Sequence, residues 1–142
     1  VNNEPFMLTY GDGVSNINLN QLETFHKQHG KIVTISSYNI GQQFGVLEAC
    51  DNGLITGFRE KNEGDGNLIN IGYMVCDPKV FDYIENDQTV FEKAPLENIA
   101  KDRQLIGYHH KGFWKCMDTV RDRTQLETMW ASGSAPWKVW KD

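Results

Sequence analysis

The stretch Phe6 to Val14, reading Phe-Met-Leu-Thr-Tyr-Gly-Asp-Gly-Val, constrains the fold more than any other part of the chain. Aromatic, aliphatic and β-branched residues run straight into Gly-Asp-Gly, which reads as a buried strand ending in a turn that holds one carboxylate, Asp12. In open α/β sheets ligands collect outside the carboxyl ends of strands, so an acid one step past a strand is where a metal or a sugar would be met. Gly11 and Gly13 allow the backbone to turn sharply and a ligand to come close. Taken alone, Asp-Gly more often marks only a tight turn.

The residues that follow extend this start into an α/β pattern. Asn18 with Gln21 forms a capping-box pattern and Ile17 with Leu22 the matching hydrophobic staple, which predicts a helix from Leu19 to His29 with Leu22 and Phe25 inward. Gly30 suits the left-handed position that ends it. Lys31 to Ser37, rich in β-branched residues, then returns as a strand, giving a β-α-β unit with a parallel strand pair. His26 and His29 stand three apart as metal ligands might, but no neighbouring acid or cysteine completes a set. A favourable charge near the negative end of the helix is the better account.

Phe44 to Cys50 and Leu54 to Lys61 read as strands joined by the hairpin turn Asp51-Asn52-Gly53, the second ending in Arg59-Glu60-Lys61. Asn62 to Asn67 is an acidic, glycine-containing loop without the acid spacing or closing glutamate of a calcium loop. Leu68 to Cys76 is a strand with Asn70 and Gly72 inside it, and a glycine there often marks close approach by a ligand or another backbone. Asp77-Pro78 opens a short helix through Ile84. Thr89 with Glu92 repeats the capping pattern, with short helical pieces at Val90 to Lys93 and Pro95 to Lys101, the latter turning Leu96, Ile99 and Ala100 inward.

Gln104 to His110 and Phe113 to Met117 are further strands, and His109 and His110 point to opposite faces of theirs. Thr119 with Asp122 caps a last helix to about Ser132, with Leu126, Met129 and Trp130 as its inner stripe and Gly133 at its end. The tail Ala135 to Trp140 holds two of the four tryptophans and must dock, on its own domain or across a subunit contact.

A chain of 142 residues fits one domain, and its formal net charge of −5 argues against a nucleic-acid backbone as partner. No apolar run approaches the ~18 residues of a membrane span and no signal-peptide pattern is present, so no membrane association and a cytoplasmic location are expected. Cys50, Cys76 and Cys116 are widely spaced and read as buried free thiols. Val1 stands almost directly before a usable strand, which suggests a fragment or processed chain.

Asp12 and Asp118 each follow an apolar strand directly. If both strands belong to one sheet and run the same way, the two carboxylates meet at one edge. Paired carboxylates supply the hard oxygen ligands that Mg²⁺ prefers and leave positions for water and phosphate. Glu60-Lys61, at a third strand end, would add an acceptor for sugar hydroxyls and a cation for phosphate charge.

With these features in view, the chain resembles the sugar-1-phosphate nucleotidylyltransferases. The resemblance rests on Tyr10-Gly11-Asp12-Gly13-Val14, Glu60-Lys61 followed by Glu63-Gly64-Asp65-Gly66, Ile69-Asn70 before Gly72, and Val80-Phe81-Asp82-Tyr83-Ile84. It continues in Gly112-Phe113-Trp114, Cys116-Met117-Asp118-Thr119 and Ala135-Pro136-Trp137-Lys138-Val139-Trp140. It implies an α/β fold, a Rossmann-like mixed sheet with flanking helices, corresponding to the C-terminal part of a nucleotidyltransferase (GT-A-like) domain whose N-terminal nucleotide-binding part is absent here.

The implied reaction is in-line attack of a sugar-1-phosphate oxygen on the α-phosphorus of a nucleoside triphosphate, with pyrophosphate leaving. CTP and glucose 1-phosphate are the expected substrates, and thymidylyl or uridylyl transfer or a non-catalytic sugar-nucleotide-binding module the alternatives. By position, the resemblance makes Asp12 and Asp118 the Mg²⁺ ligands, places Gly11 close to the substrates and gives Glu60 the sugar hydroxyls. Lys61 would take the sugar phosphate, and Gly45 and Asn70 would line the sugar pocket. A homo-oligomer and a role in surface-polysaccharide synthesis are further implications. The family's amino-terminal Gly-rich loop is missing from these residues, Asn62 stands where the family has proline, and Gln42-Gln43 lacks a basic residue beside Phe44. The segment alone is therefore expected to be inactive or nearly so.

Overall fold

In the computed structural model, residues 3–40, 46–49, 55–59 and 68–141 are described. The chain runs β1 (Phe6–Thr9), β2 (Gly13–Ser15), α1 (Leu19–His29), β3 (Val33–Asn39), β4 (Val46–Ala49) and β5 (Ile55–Arg59). It continues through β6 (Leu68–Cys76), a 3₁₀ helix (Pro78–Tyr83), α2 (Ala94–Lys101), β7 (Leu105–His110), β8 (Trp114–Cys116) and α3 (Val120–Ala131). Four strands form a mixed sheet in the order β1-β6-β3-β7. β6 lies antiparallel to both β1 and β3, while β3 and β7 are parallel. The strand pair expected to be neighbours, β1 and β3, therefore does run in one direction but with β6 inserted between them. The period of a strand says that it pairs and leaves open with which partner.

β6 carries the core because both its faces are covered. Met74 and Cys76 point to one side, where Val33, Val80, Leu96 and Ile99 complete a buried cluster under the 3₁₀ helix and α2. Val75 points to the other and meets Ile17 and Leu22 beneath α1. The α1 cap forms as its sequence requires: the Asn18 side chain accepts from the Gln21 amide at 3.0 Å, and Gly30 adopts φ 62°. Gln21 does not complete a box, because its side-chain oxygen takes the Tyr108 hydroxyl at 3.4 Å.

Three local expectations fail. Ala100 is exposed, the buried residues of its helix being Pro95, Leu96 and Ile99. Residues 91–93 form a turn, and Thr89 accepts from the Asn86 amide instead of capping a helix. α3 has the full Thr119–Asp122 capping box but no buried residue, and Trp130 is 51% exposed. The tail folds back only in part, with Trp137 stacked on Phe113 and Trp140 near Trp130. Cys76 is buried and free, Cys116 half-buried and free. β4 and β5 pair antiparallel as the hairpin reading requires, while the Asp51-Asn52-Gly53 turn, the Asn62–Asn67 loop and Cys50 lie outside the described residues.

Candidate active site

β2 and β8, three residues each, make an antiparallel ribbon in which Gly13 faces Cys116 and Ser15 faces Trp114. The Met117 amide donates to the Asp12 carbonyl at 2.7 Å, extending the ladder one step past the ribbon. Asp12 thus lies opposite Met117, with Asp118 the next residue along. The two acids stand on adjoining backbone segments, reached by another route than the expected one. Their strands are not parallel members of one sheet: β1 belongs to the four-stranded sheet, and the segment before Asp118 pairs with β2.

Both aspartates are exposed. Asp118 precedes the cap of α3, where Thr119 and Lys115 hold the Asp122 carboxyl below the usual carboxylate range, Lys115 at 3.1 Å. The Cys116 thiol is raised by burial and by its hydrogen bond to the Asp118 carboxylate.

The turn carrying Asp12 is braced from β6. The Tyr10 amide donates to the Gly72 carbonyl at 3.0 Å, and the Tyr10 ring lies over Gly72, which has φ +79°. A Cβ at Gly72 would stand 2.6 Å from that ring, so the close approach anticipated at this glycine is made by Tyr10. The Tyr10 phenol receives the Asn70 amide at 3.0 Å. Burial first, and then the hydrogen bond to Glu92, push its pKa up to about 12. The Tyr73 hydroxyl donates to the Gly13 carbonyl at 3.1 Å. A Cβ at Gly11 would meet nothing within 4 Å, which leaves that side of the turn open.

Of the residues named from sequence, Gly11, Asp12, Asn70 and Asp118 are thus linked through Tyr10 and the ribbon. Gly45, Glu60 and Lys61 lie outside the described residues. Tyr10, Glu92 and Tyr73 were not singled out. Their signal is non-local, because only the β1–β6 register and the turn before α2 bring them to the site.

Two histidine clusters need a chemical reading. Ser15 Oγ stands 3.2 Å from His110 Nε2, the distance of a nucleophile and its base. Yet His110 Nε2 also lies 2.9 Å from the Phe113 carbonyl, an acceptor that requires the proton to be on this nitrogen, and Ser15 donates to the same carbonyl at 2.7 Å. The nitrogen that would have to accept the serine proton is already a donor, so the pair ties β2 to β7 and β8. His109 is exposed and His110 buried, as the alternation requires.

His26 and His29 do not serve as exposed charges at a helix end. His26 is 4% exposed, and the Thr34 hydroxyl bridges its Nδ1 at 2.8 Å to His29 Nε2 at 2.6 Å. Burial depresses both pKa values, and the two rings disfavour each other's charge at His26.

Among the described residues no group of three or more His, Cys, Asp or Glu is placed to hold a metal ion. Two exposed carboxylates on adjoining segments nonetheless suit Mg²⁺, which takes one or two protein carboxylates and fills its shell with water and phosphate oxygens. An open groove of about 410 Å³ between α1 and Tyr108 shares no residue with this cluster. No helix among the described residues is long and apolar enough to cross a membrane.

The chain is similar to known proteins. The chain is 43% identical over 138 residues to the glucose-1-phosphate cytidylyltransferase of Salmonella typhi, covering 97% of this chain and 53% of that protein. It is 43% identical over 141 residues to the probable glucose-1-phosphate cytidylyltransferase of Bacillus subtilis, covering 99% and 55%. A more distant relative, the mannose-1-phosphate guanyltransferase of Saccharomyces cerevisiae, is 31% identical over 125 residues, with 84% of this chain and 35% of that protein covered. The chain therefore spans about half the length of the cytidylyltransferases it matches.

Among solved structures, a Bacillus anthracis chain described as a "putative glucose-1-phosphate thymidylyltransferase" superposes with a TM-score of 0.65 at 16% identity, covering 100% of this chain and 58% of that one, a likeness of fold. The nucleotidyl transferase family model matches residues 1–138, and the chain belongs to that family.

Proposed function

We propose that the intact protein transfers the cytidylyl group of CTP to glucose 1-phosphate, releasing pyrophosphate and forming CDP-glucose. The observation that carries this reading is the junction of Asp12 and Asp118 through the Met117–Asp12 backbone bond, in a chain 43% identical to glucose-1-phosphate cytidylyltransferases. Such a transfer asks the protein mainly to position two phosphates and to neutralise charge as the bond to pyrophosphate breaks.

In this reading Asp12 and Asp118 hold a Mg²⁺ ion, which when bound offsets negative charge at the α-phosphate. Gly11, with open space beside it, lets a substrate phosphate or sugar approach the backbone. Asn70 and Gly45 contact the sugar, Glu60 its hydroxyls, and Lys61 its phosphate. No covalent intermediate is required, in keeping with the donor role of His110 Nε2 beside Ser15. Because the chain spans half of its relatives' length, the complete activity is assigned to the full-length protein, taken to work in the cytoplasm as a homo-oligomer.

The test is a nucleotide panel on the full-length protein. With glucose 1-phosphate and Mg²⁺, pyrophosphate release should be fastest with CTP, above dTTP, UTP and GTP. A preference for dTTP or UTP would move the assignment within the family, and no release with any nucleotide would overturn it.

A further inference from the structure

Tyr10 stands beside the proposed site, against Asn70 and Gly72, without a part in it so far. The Asn70 carboxamide is held at both ends: its oxygen accepts from the Gly72 amide at 2.9 Å and its nitrogen donates to the Tyr10 phenol at 3.0 Å. These two bonds fix which side of the carboxamide is the donor and which the acceptor. A carboxamide has two N–H donors and two lone pairs, so one donor and one acceptor remain on Asn70. A sugar diol, with a hydroxyl to give and a hydroxyl to receive, is complementary to that remaining pair.

The backbone is shaped to this arrangement. Any side chain at position 72 would strike the Tyr10 ring, and the left-handed φ there disfavours all but glycine. Asn70 is exposed, so without these partners its amide could turn and exchange donor for acceptor.

We propose that Tyr10 is a positioning residue for sugar recognition, its hydroxyl fixing the orientation of the Asn70 carboxamide. This rests on the functional reading above and adds to it a determinant of acceptor binding that touches no substrate itself. Tyr10 follows β1, so the orientation of a β6 side chain is set from the neighbouring strand.

The experiment is steady-state kinetics on the full-length protein, reading the KM for glucose 1-phosphate and the KM for CTP separately. Tyr10→Phe keeps the ring packed on Gly72 and removes only the hydroxyl. It should raise the sugar-phosphate KM about 3- to 10-fold, the worth of one hydrogen bond, with the CTP KM within about twofold.

Equal rises in both KM values, a fall in kcat alone, or an unchanged sugar-phosphate KM in Tyr10→Phe would each overturn the positioning role. Failure of the underlying functional reading looks different, because the unsubstituted protein would then turn over no sugar phosphate at all.

Discussion

The helices α1 and α3 begin and end by the same rules and have opposite fates. α1 opens on the Asn18 cap and closes on Gly30 at φ 62°; α3 opens on the Thr119–Asp122 box and is followed by Gly133 at φ 71°. α1 then buries Leu22 and His26 and locks onto β3 through Thr34, whereas α3 buries nothing and leaves Val120 81% and Trp130 51% exposed. Caps decide where a helix starts and stops, and an apolar face meeting another apolar face decides what it contributes to the core. The candidate site lies between these regimes: Asp12 hangs from the braced β1–β6 side, while Asp118 leads into the helix that the described residues leave uncovered.

The sharpest way to break this contrast is to truncate both helices. Leu22→Ala should destabilise the protein by about 2–5 kcal/mol in urea unfolding, because Leu22 is 1% exposed and its cavity has little room to collapse. Trp130→Ala should cost about 1 kcal/mol or less at an exposed position. Comparable losses would mean that α3 is packed in solution as firmly as α1.

Cap deletions give a finer comparison. Asn18→Ala should lower global stability by about 1 kcal/mol, since α1 is coupled to the core. Thr119→Ala should appear as faster amide exchange in the first turn of α3, with a smaller shift of the unfolding midpoint. All four tryptophans lie from Trp114 onward, so their fluorescence follows β8, α3 and the tail while far-UV circular dichroism follows the whole fold.

The smallest effect near neutrality is expected from acid. His26 and His29 have pKa values depressed by burial, so the unfolded chain binds protons that the folded chain refuses. Their contribution to stability is complete above the unfolded histidine pKa of about 6.5 and declines as pH falls through and below it. The urea midpoint should drop between pH 7.5 and 5, and a His26→Gln, His29→Gln double variant should show a shallower slope. An equally steep slope in that variant would place the acid sensitivity elsewhere.

Much of this was readable from the residues themselves. The bounds of α1 and β6 follow from a cap, a left-handed glycine and a mainly apolar β-prone run, all signals carried in or next to the element. Asp12 and Asp118 were recognisable as strand-end acids for the same reason. What was not legible depends on partner choice. The β2–β8 ribbon is three residues on each side, too short for a period to register, so the acids' junction could be foreseen only as a parallel edge that does not exist. His26 looked like a helix-end charge because burial and the Thr34 bridge come from β3, and Tyr10 looked like one more strand aromatic because its partners Asn70 and Gly72 are remote in sequence. Gly72 carried a visible signal of close approach, but the approaching group was a side chain of this chain.

The central claim is that Asp12 and Asp118 serve one site. Mg²⁺-dependent pyrophosphate release from CTP and glucose 1-phosphate, measured on full-length protein carrying Asp12→Asn, Asp118→Asn or both, tests it most directly. Each single change should lower kcat/KM by about 100-fold or more, and the double change should cost little beyond either one, as residues that act as a unit do. Near-normal turnover in either single variant, or losses that multiply in the double variant, would contradict a shared site.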